Sequence, residues 1–362
     1  MEQLEVALGD RSYPIYIGAG ILPGLARLLE EQGIDQKRKL LLVSDSQVFP
    51  LYGEKVVAGL REAGYTVFQA IVPAGESSKN LEQLESLVEI GIQSGLDRTS
   101  VILALGGGVV GDLAGFLAAV YMRGISFVQL PTTLLAHDSS VGGKVGVNHR
   151  LGKNMIGAFH QPALVVFDVE TLHTLPPREV TSGYAEVIKH ALIADLEFAQ
   201  WLLKQQEGLL RLESSLVKKA ILRGCQIKAE IVCQDEQEHG VRALLNYGHT
   251  IGHALEAVSG YSRYTHGEAV AIGMVGAALL SEALGLAHNV VLPTRKLLSS
   301  FSLPVSLEEQ WSIEELMAAI KRDKKGKQGS IHFVLPTKIG QVRLVQDVEE
   351  PLIRQVLQML YD

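Results

Sequence analysis

Residues 101–119, VILALGGGVVGDLAGFLAA, join an apolar run to three consecutive glycines and then to a stretch of small residues. An unbroken apolar run predicts a parallel strand that is buried on both faces. Glycine permits a tight turn, and free N–H groups at a helix start bind anions such as phosphate. The stretch therefore predicts a strand, a glycine turn and a nucleotide-binding helix, although its spacing departs from the GxGxxG fingerprint. The glycines could instead only permit close packing.

The sequence around this stretch alternates strand and helix patterns. Strand patterns occur at 39–44, 65–71, 125–130 and 164–168, and helical patterns at 54–63 and 81–94. Such alternation predicts a parallel α/β sheet. After Pro176 and Pro177 the patterns become long helices, so we predict a domain over residues 1–177 and a mostly α-helical domain over 178–362.

Composition and charge narrow the class of protein. The chain has 362 residues, of which 47% are apolar, and this fits one or two globular domains. A net charge of −7 argues against a nucleic-acid surface. The longest apolar run, 269–280, is too short to span a bilayer, and the N-terminus lacks a signal-peptide pattern. The two cysteines, Cys225 and Cys233, would lie roughly 12 Å apart on one helix, too far for a disulfide. We expect a cytoplasmic protein with no membrane or nucleic-acid partner.

The segment from Pro131 to Phe159 is rich in glycine and in polar side chains. It reads PTTLLAHDSSVGGKVGVNHRLGKNMIGAF and has almost no apolar periodicity. Two glycines before Lys144 suggest a backbone that approaches a ligand closely, with an ammonium group beside it. We therefore expect the segment to bind a small anion. The alternative is a long surface loop made of turn residues.

Two other charged positions near strand and helix ends have open interpretations. Asp45 ends a strand, where an acidic residue can bind a ribose or can cap the following turn. Glu76 and Lys79 form a charged pair before a helix and could equally serve as a capping feature. The residues alone do not decide between these roles.

The helical half carries candidate metal ligands in three segments. They are Glu186 and His190, His249 and His253, and His266 and Glu268. His249 and His253 are four residues apart, hence on one helical face, but the glutamate of an HExxH zinc protease is missing between them. One Zn²⁺ bound by nitrogen and oxygen ligands would satisfy these groups together. Core histidines satisfied by hydrogen bonds remain the alternative.

Five segments together resemble the 3-dehydroquinate synthase family of the sugar-phosphate cyclases. They are GGGVVGD, HDSSVGGKVGVNHRLGKNMIG, GYAEVIKHALI, RALLNYGHTIGHALE and HGEAVAIGM. The resemblance implies an N-terminal Rossmann-like NAD-binding domain, a helical metal- and substrate-binding domain, one Zn²⁺ or Co²⁺ per subunit, and a homodimer. It also implies a carbon–oxygen lyase that converts 3-deoxy-D-arabino-heptulosonate 7-phosphate (DAHP) to 3-dehydroquinate and phosphate in the shikimate pathway, which leads to chorismate and the aromatic amino acids. The implied steps are NAD-assisted oxidation, β-elimination of phosphate, reduction and intramolecular aldol closure.

The resemblance also implies roles for individual residues. The implied metal ligands are Glu186, His249 and His266, which replaces the pairing of His249 with His253 that spacing suggests. The implied catalytic residues are Asp138, Lys144, Lys189, Glu238 and His253, the last two in proton transfer. The implied substrate contacts are Asn154, Lys228, Arg242, Asn246, Lys324 and, from the neighbouring subunit, Arg123. The implied NAD contacts are Asp45, Glu76, Lys79, Gly107, Gly108, Val109, Asp112, Thr132, Thr133, Lys144, Lys153 and Thr174.

Three other functions remain as alternatives. Another sugar-phosphate cyclase, such as 2-deoxy-scyllo-inosose synthase, would share NAD and the metal, but Arg242 favours a substrate with a carboxylate. A metal-dependent NAD polyol dehydrogenase would share the glycine turn but would need no lysines for phosphate. A non-catalytic metal- and nucleotide-binding sensor would not require Glu186, His253 and Lys144 together.

Overall fold

The computed structural model describes residues 1–260, 263–308, 311–323 and 331–361. The chain divides into two compact units, Met1–Leu175 and Pro176–Asp362. The boundary that the sequence predicts, after residue 177, falls two residues beyond this division. Among the described residues, no helix combines the length and the apolar character needed to cross a bilayer.

The first unit contains a seven-stranded sheet, and all its neighbouring strands are parallel except the first pair. Its strands, in the spatial order β1-β2-β9-β6-β5-β3-β4, are β1 (Glu2–Val6), β2 (Tyr13–Gly18), β9 (Leu164–Asp168), β6 (Ser126–Pro131), β5 (Val101–Gly106), β3 (Leu40–Asp45) and β4 (Val67–Val72). Its helices are α1 (Leu25–Glu31), α2 (Glu54–Glu62), α3 (Leu81–Gln93), α4 (Gly108–Val120) and α5 (Ala136–Ser139). The predicted parallel α/β architecture is confirmed.

Both faces of this sheet are buried, as the apolar runs predict. On β3 and β5, Leu42 and Leu103 pack into one apolar cluster, while Val43 and Ile102 pack into another. Successive side chains of a strand point to opposite faces, so a strand covered on both sides needs apolar residues at every position. Because the strands are parallel, their carboxyl ends lie along one edge of the sheet, and the glycine turn begins at this edge.

The polar segment 131–159 is not the long loop that its composition suggests. It contains α5 and an antiparallel hairpin of β7 (Lys144–His149) and β8 (Gly152–Phe159). Gly146 lies opposite Gly157 in the ladder, so the usual alternation of side chains is interrupted. The apolar anchors are Val145 and Val147, which are buried in the cluster that covers α4.

The second unit is mostly helical, as predicted, with one added two-stranded sheet. Its helices are α6 (Pro177–Ala194), α7 (Leu196–Leu210), α8 (Ser214–Gln234), α9 (His249–Val258), α10 (His266–Ala283), α11 (Val291–Ser300), α12 (Ile313–Asp323) and α13 (Glu350–Met359). Its strands are β10 (Phe333–Lys338) and β11 (Gln341–Val345). Helix α10 is central and packs on both α6 and α9.

Glycines allow these central helices to approach closely. A Cβ atom at Gly267 of α10 would overlap the Ser182 carbonyl oxygen of α6, and one at Gly273 would overlap the Gly248 carbonyl oxygen that precedes α9. The small-residue sequence of α10 therefore fixes the distance between the three helices that carry the predicted metal ligands.

Candidate functional site

The glycine turn lies at the carboxyl edge of the sheet of the first unit. Gly107 precedes α4, whose first turn receives no hydrogen bond from a capping side chain. A Cβ atom at Gly107 would lie 2.9 Å from Thr133 Cγ2, and one at Gly108 would lie 3.3 Å from Ser139 Oγ. The buried Thr132 hydroxyl has no hydrogen-bond partner among the described residues. Free N–H groups and hydroxyls at a helix start suit a phosphate group.

Lys79 links several of the residues that are predicted to bind NAD. Its ammonium group lies 2.5 Å from Asp112 Oδ2 on α4 and 2.5 Å from Asn154 Oδ1 on the hairpin. Glu76 accepts a hydrogen bond of 2.7 Å from Asn148 Nδ2. The expected pairing of Glu76 with Lys79 is therefore wrong, since Lys79 pairs with Asp112.

A capping role is wrong for Glu76 and Lys79 but is confirmed for Asp45. Helix α3 is capped by Asn80, which accepts from the Gln83 N–H at 2.8 Å, so Glu76 and Lys79 are not its cap. Asp45 does act as a cap, because its Oδ1 accepts from the N–H groups of Gln47 and Val48 at 2.8 and 2.9 Å.

Other predicted residues of the first unit follow its strands or lie in α4, α5 or the hairpin. Thr174 Oγ1 lies 2.7 Å from Tyr52 Oη, in the turn that follows β9. The remaining predicted residues near this edge are Val109 in the first turn of α4, Asp138 in α5, Lys144 at the start of β7 and Lys153 in β8. Their individual roles stay predictions.

Arg123 does not belong to this group. It follows the C-terminal end of α4, roughly 18 Å along the helix axis from the glycine turn. Its φ of 69° places it in the left-handed region, where a non-glycine residue is uncommon. Within its own unit Arg123 is therefore remote from the predicted cofactor contacts.

The predicted metal ligands of the second unit lie together. Ligand atoms of Glu186, His249 and His266 all lie within 4.8 Å of one another. Glu186 Oε1 is 3.7 Å from Nε2 of each histidine, and Glu186 also bonds Lys189, one turn further along α6. One carboxylate and two imidazoles are a ligand set that suits Zn²⁺.

The other candidates from the sequence have different surroundings. Glu268 closes the capping box of α10 with Thr265 and accepts hydrogen bonds from Arg178 at 2.7 and 2.6 Å. The ring of His253 meets that of His249 edge-on at 5.1 Å. The spacing suggests that His249 pairs with His253 as a metal ligand. In the structure the histidine that joins His249 and Glu186 is instead His266.

Burial and neighbouring charges give the two clustered histidines opposite properties. Burial, with Lys189 adding to it, lowers the pKa of His249 well below its usual value. Burial also lowers the pKa of His266, but the neighbouring carboxylates of Glu186 and Glu256 outweigh it and raise the pKa to about 10. The cluster therefore concentrates negative charge on the side of His266, which suits a cation.

Each clustered histidine also has a partner at Nδ1, and neither partner is predicted from the sequence. His249 Nδ1 lies 3.1 Å from the Tyr247 carbonyl oxygen, and His266 Nδ1 lies 3.3 Å from Glu256 Oε2. The spacing of His249, His253 and Glu256 places all three on one face of α9, a signal in the sequence that could have drawn attention to Glu256.

Buried cations lie on α6 and on the elements that pack against it. Lys189, Lys228 and Arg242 are 2%, 7% and 1% exposed. Arg242 donates to the Glu236 carbonyl, and Asn246 Nδ2 donates to Glu238 Oε1 at 3.0 Å. Buried cations favour anionic ligands, as predicted for a substrate with a carboxylate and a phosphate. Lys324 lies outside the described residues.

The turn that carries Arg242 is organised by one carboxylate. Asp235 accepts from the backbone N–H groups of His239, Gly240 and Arg242 at 2.8, 2.7 and 3.0 Å. These bonds, that from Arg242 most of all, lower the pKa of Asp235. The same turn contains Glu238, whose φ of 60° lies in the left-handed region.

Solved structures that match nearly the whole chain, and therefore both units, indicate the class of protein. The fold is that of 2-epi-5-epi-valiolone synthase from Streptomyces hygroscopicus with NAD⁺ and Zn²⁺ bound, at a TM-score of 0.89, 30% identity and 98% coverage of each chain. A 2-deoxy-scyllo-inosose synthase complexed with carbaglucose-6-phosphate, NAD⁺ and Co²⁺ matches at a TM-score of 0.88 and 26% identity, over 99% of this chain and 100% of that one. These enzymes are sugar-phosphate cyclases.

The family follows from sequence comparison. Residues 69–182 match the model of the 3-dehydroquinate synthase N-terminal region, and residues 183–326 match that of its C-terminal region. A 3-dehydroquinate synthase from Desulforamulus reducens is 50% identical over 359 residues, 99% of each chain. The chain belongs to the 3-dehydroquinate synthase family, which confirms the resemblance.

Proposed function

We propose that this protein converts DAHP to 3-dehydroquinate and phosphate, a carbon–oxygen lyase reaction of the shikimate pathway. The observation that carries the proposal is the cluster of Glu186, His249 and His266 in a unit that also buries three cations. Full-length relatives at about half identity that are named 3-dehydroquinate synthase support the same reaction.

The residues fit the two cofactors that the reaction requires. The side-chain-free glycine turn and the buried Thr132 hydroxyl suit the pyrophosphate of NAD, and Glu186, His249 and His266 suit Zn²⁺ or Co²⁺. When bound, NAD would supply the transient oxidation of a substrate carbinol, and the metal would act as a Lewis acid.

The roles that we propose for the side chains follow from charge and burial. Arg242 presents a planar fork to the substrate carboxylate, and Lys228 adds a point charge. Lys144 and Asn154 bind the phosphate, as would Lys324, and Asp138 and Lys189 orient the sugar. Glu238, held by Asn246, and His253 serve in proton transfer.

We also propose a cytoplasmic homodimer in which Arg123 reaches the phosphate of the neighbouring subunit's substrate. The distance of Arg123 from the glycine turn of its own unit supports this role. A cation beyond the C-terminal end of α4 is too far away to contact a phosphate at that turn.

The decisive assay combines purified protein with DAHP, a catalytic amount of NAD and Zn²⁺ or Co²⁺. We expect phosphate and 3-dehydroquinate in equal amounts, with no net NADH. Arg242→Lys keeps the charge but loses the fork, so the KM for DAHP should rise by about tenfold or more. Arg223→Lys is the matched control, because Arg223 of α8 pairs with Asp195 at the start of α7, outside the proposed substrate contacts, and should leave KM unchanged.

Three other outcomes would replace the proposal. Phosphate release from glucose 6-phosphate but not from DAHP would indicate the 2-deoxy-scyllo-inosose synthase reaction. Stoichiometric NADH from glycerol would indicate a polyol dehydrogenase. Binding of NAD and metal without turnover of any of these substrates would indicate a sensor.

A further inference from the structure

Glu256 is a buried carboxylate for which neither the packing of α9 nor the proposed chemistry accounts. It is 5% exposed and lies in the last turn of α9, which ends at Val258. A buried carboxylate is costly unless it is paired, and a negative charge near a helix C-terminus opposes the helix dipole. Helix stability therefore disfavours a glutamate at this position, so its side-chain contacts must account for it.

One of these contacts is a predicted metal ligand on a different helix. Glu256 Oε2 lies 3.3 Å from Nδ1 of His266, the first residue of α10. The other ring nitrogen of His266, Nε2, lies 3.7 Å from Glu186 Oε1. The ring is thus held between two carboxylates, one on each nitrogen.

His249 shows the same arrangement with a neutral partner. Its Nδ1 lies 3.1 Å from the Tyr247 carbonyl oxygen, and its Nε2 lies 3.7 Å from the same Glu186 oxygen. Both rings therefore turn Nε2 towards Glu186 and Nδ1 towards an acceptor. The two orienting groups differ in charge, and only that of His266 is a side chain that mutation can remove.

We propose that Glu256 is a positioning residue that holds His266 through Nδ1, so that Nε2 is the nitrogen offered to the metal. This inference rests on the proposed metal site. A histidine that binds a metal through Nε2 keeps its proton on Nδ1, and an acceptor there fixes both the tautomer and the ring orientation. An anionic acceptor also makes the imidazole a stronger donor to the metal.

The test measures metal binding rather than turnover. Zn²⁺ affinity is obtained by competition with a chromophoric chelator, and the Co²⁺-loaded protein gives a visible spectrum that reports ligand geometry. Glu256→Ala should weaken metal binding by about 10- to 100-fold and alter the Co²⁺ spectrum. Glu256→Gln keeps an oxygen acceptor without the charge, so its loss should be smaller, about fivefold.

A matched variant separates positioning from general destabilisation. Ser281→Ala removes a buried polar group of α10 that donates to the Pro336 carbonyl at 2.5 Å, roughly 22 Å along the helix from His266. It should lower stability but leave Zn²⁺ affinity and the Co²⁺ spectrum as in the wild type. If Glu256→Ala fails to fold, Glu256→Gln decides by the same two readouts.

The possible failures are distinguishable. If the wild-type protein binds no Zn²⁺, or His266→Ala binds it normally, the proposed metal site itself is wrong. If His266→Ala loses the metal but the folded Glu256 variants bind it with wild-type affinity and spectrum, only the positioning role is overturned.

Discussion

At the scale of single residues, Lys79 connects three parts of the first unit. It is 5% exposed and bonds Asp112 on α4 and Asn154 on the hairpin, while its backbone carbonyl accepts from the Asn148 N–H at 2.8 Å. A buried ammonium group needs such partners, and they hold the hairpin residues in place. A residue predicted as a cofactor contact or a capping feature therefore also organises the segment around it.

Removing this ammonium group should cost stability. Lys79→Met removes the ammonium group that pairs with Asp112 and bonds Asn154, and we expect a loss of about 2–3 kcal/mol in the free energy of unfolding. Lys79→Met combined with Asp112→Asn should cost clearly less than the sum of the single variants. Urea unfolding measures all three.

Lys39→Met is the control for this prediction. Lys39 donates to the Gly95 carbonyl at 2.7 Å at an exposed position, so its loss should be within about 0.5 kcal/mol. Strictly additive effects of the Lys79 and Asp112 variants would show that the two groups act independently.

At the scale of secondary-structure elements, close helix packing brings the metal ligands together. Glu186 lies on α6, His249 begins α9 and His266 begins α10. Because Gly267 follows His266 directly and contacts α6, the separation of these two helices determines the distance from His266 to Glu186. The glycine is thus part of the site although it carries no ligand atom.

A single methyl group at this contact should disturb metal binding. In Gly267→Ala the new Cβ atom must displace the Ser182 backbone, so α6 and α10 move apart. We expect a loss of about 1–3 kcal/mol in stability and a weaker Zn²⁺ affinity, measured by unfolding and by chelator competition.

Gly276→Ala on the same helix is the matched control. Its Cβ atom would meet Ile251 Cδ1 at 2.5 Å, the end of a flexible side chain that can move aside. Its Zn²⁺ affinity should stay near that of the wild type. Equal affinities for both alanine variants and the wild type would mean that the helix contact does not set the ligand distance.

At the scale of the whole molecule, local patterns predicted five of the seven strands of the large sheet and the long helices, but not the contacts between them. The run at 101–105 is apolar because its strand is covered on both faces. A buried β-strand could therefore be predicted there from the sequence alone. The hairpin at 144–159 escaped prediction because glycines occupy facing positions and its anchors depend on α4. Spacing paired His249 with His253, whereas the cluster joins His249 to Glu186 and His266 from other helices. The residue types marked these two as candidate ligands, but only the family resemblance selected them as the set.

The division into two compact units predicts that each proposed ligand stabilises its own unit. Metal alone should slow amide hydrogen exchange in α6, α9 and the start of α10, and NAD alone should slow it around the glycine turn. At a ligand concentration 100 times Kd the stabilisation is about 2.7 kcal/mol, a roughly 100-fold slowing for amides that exchange through unfolding of that unit. Glu186→Gln should abolish the effect of Zn²⁺ and keep that of NAD. Protection by Zn²⁺ that spreads equally over residues 1–175 would contradict the assignment of the metal to the helical unit, because linkage stabilises the part of the chain that binds the ligand.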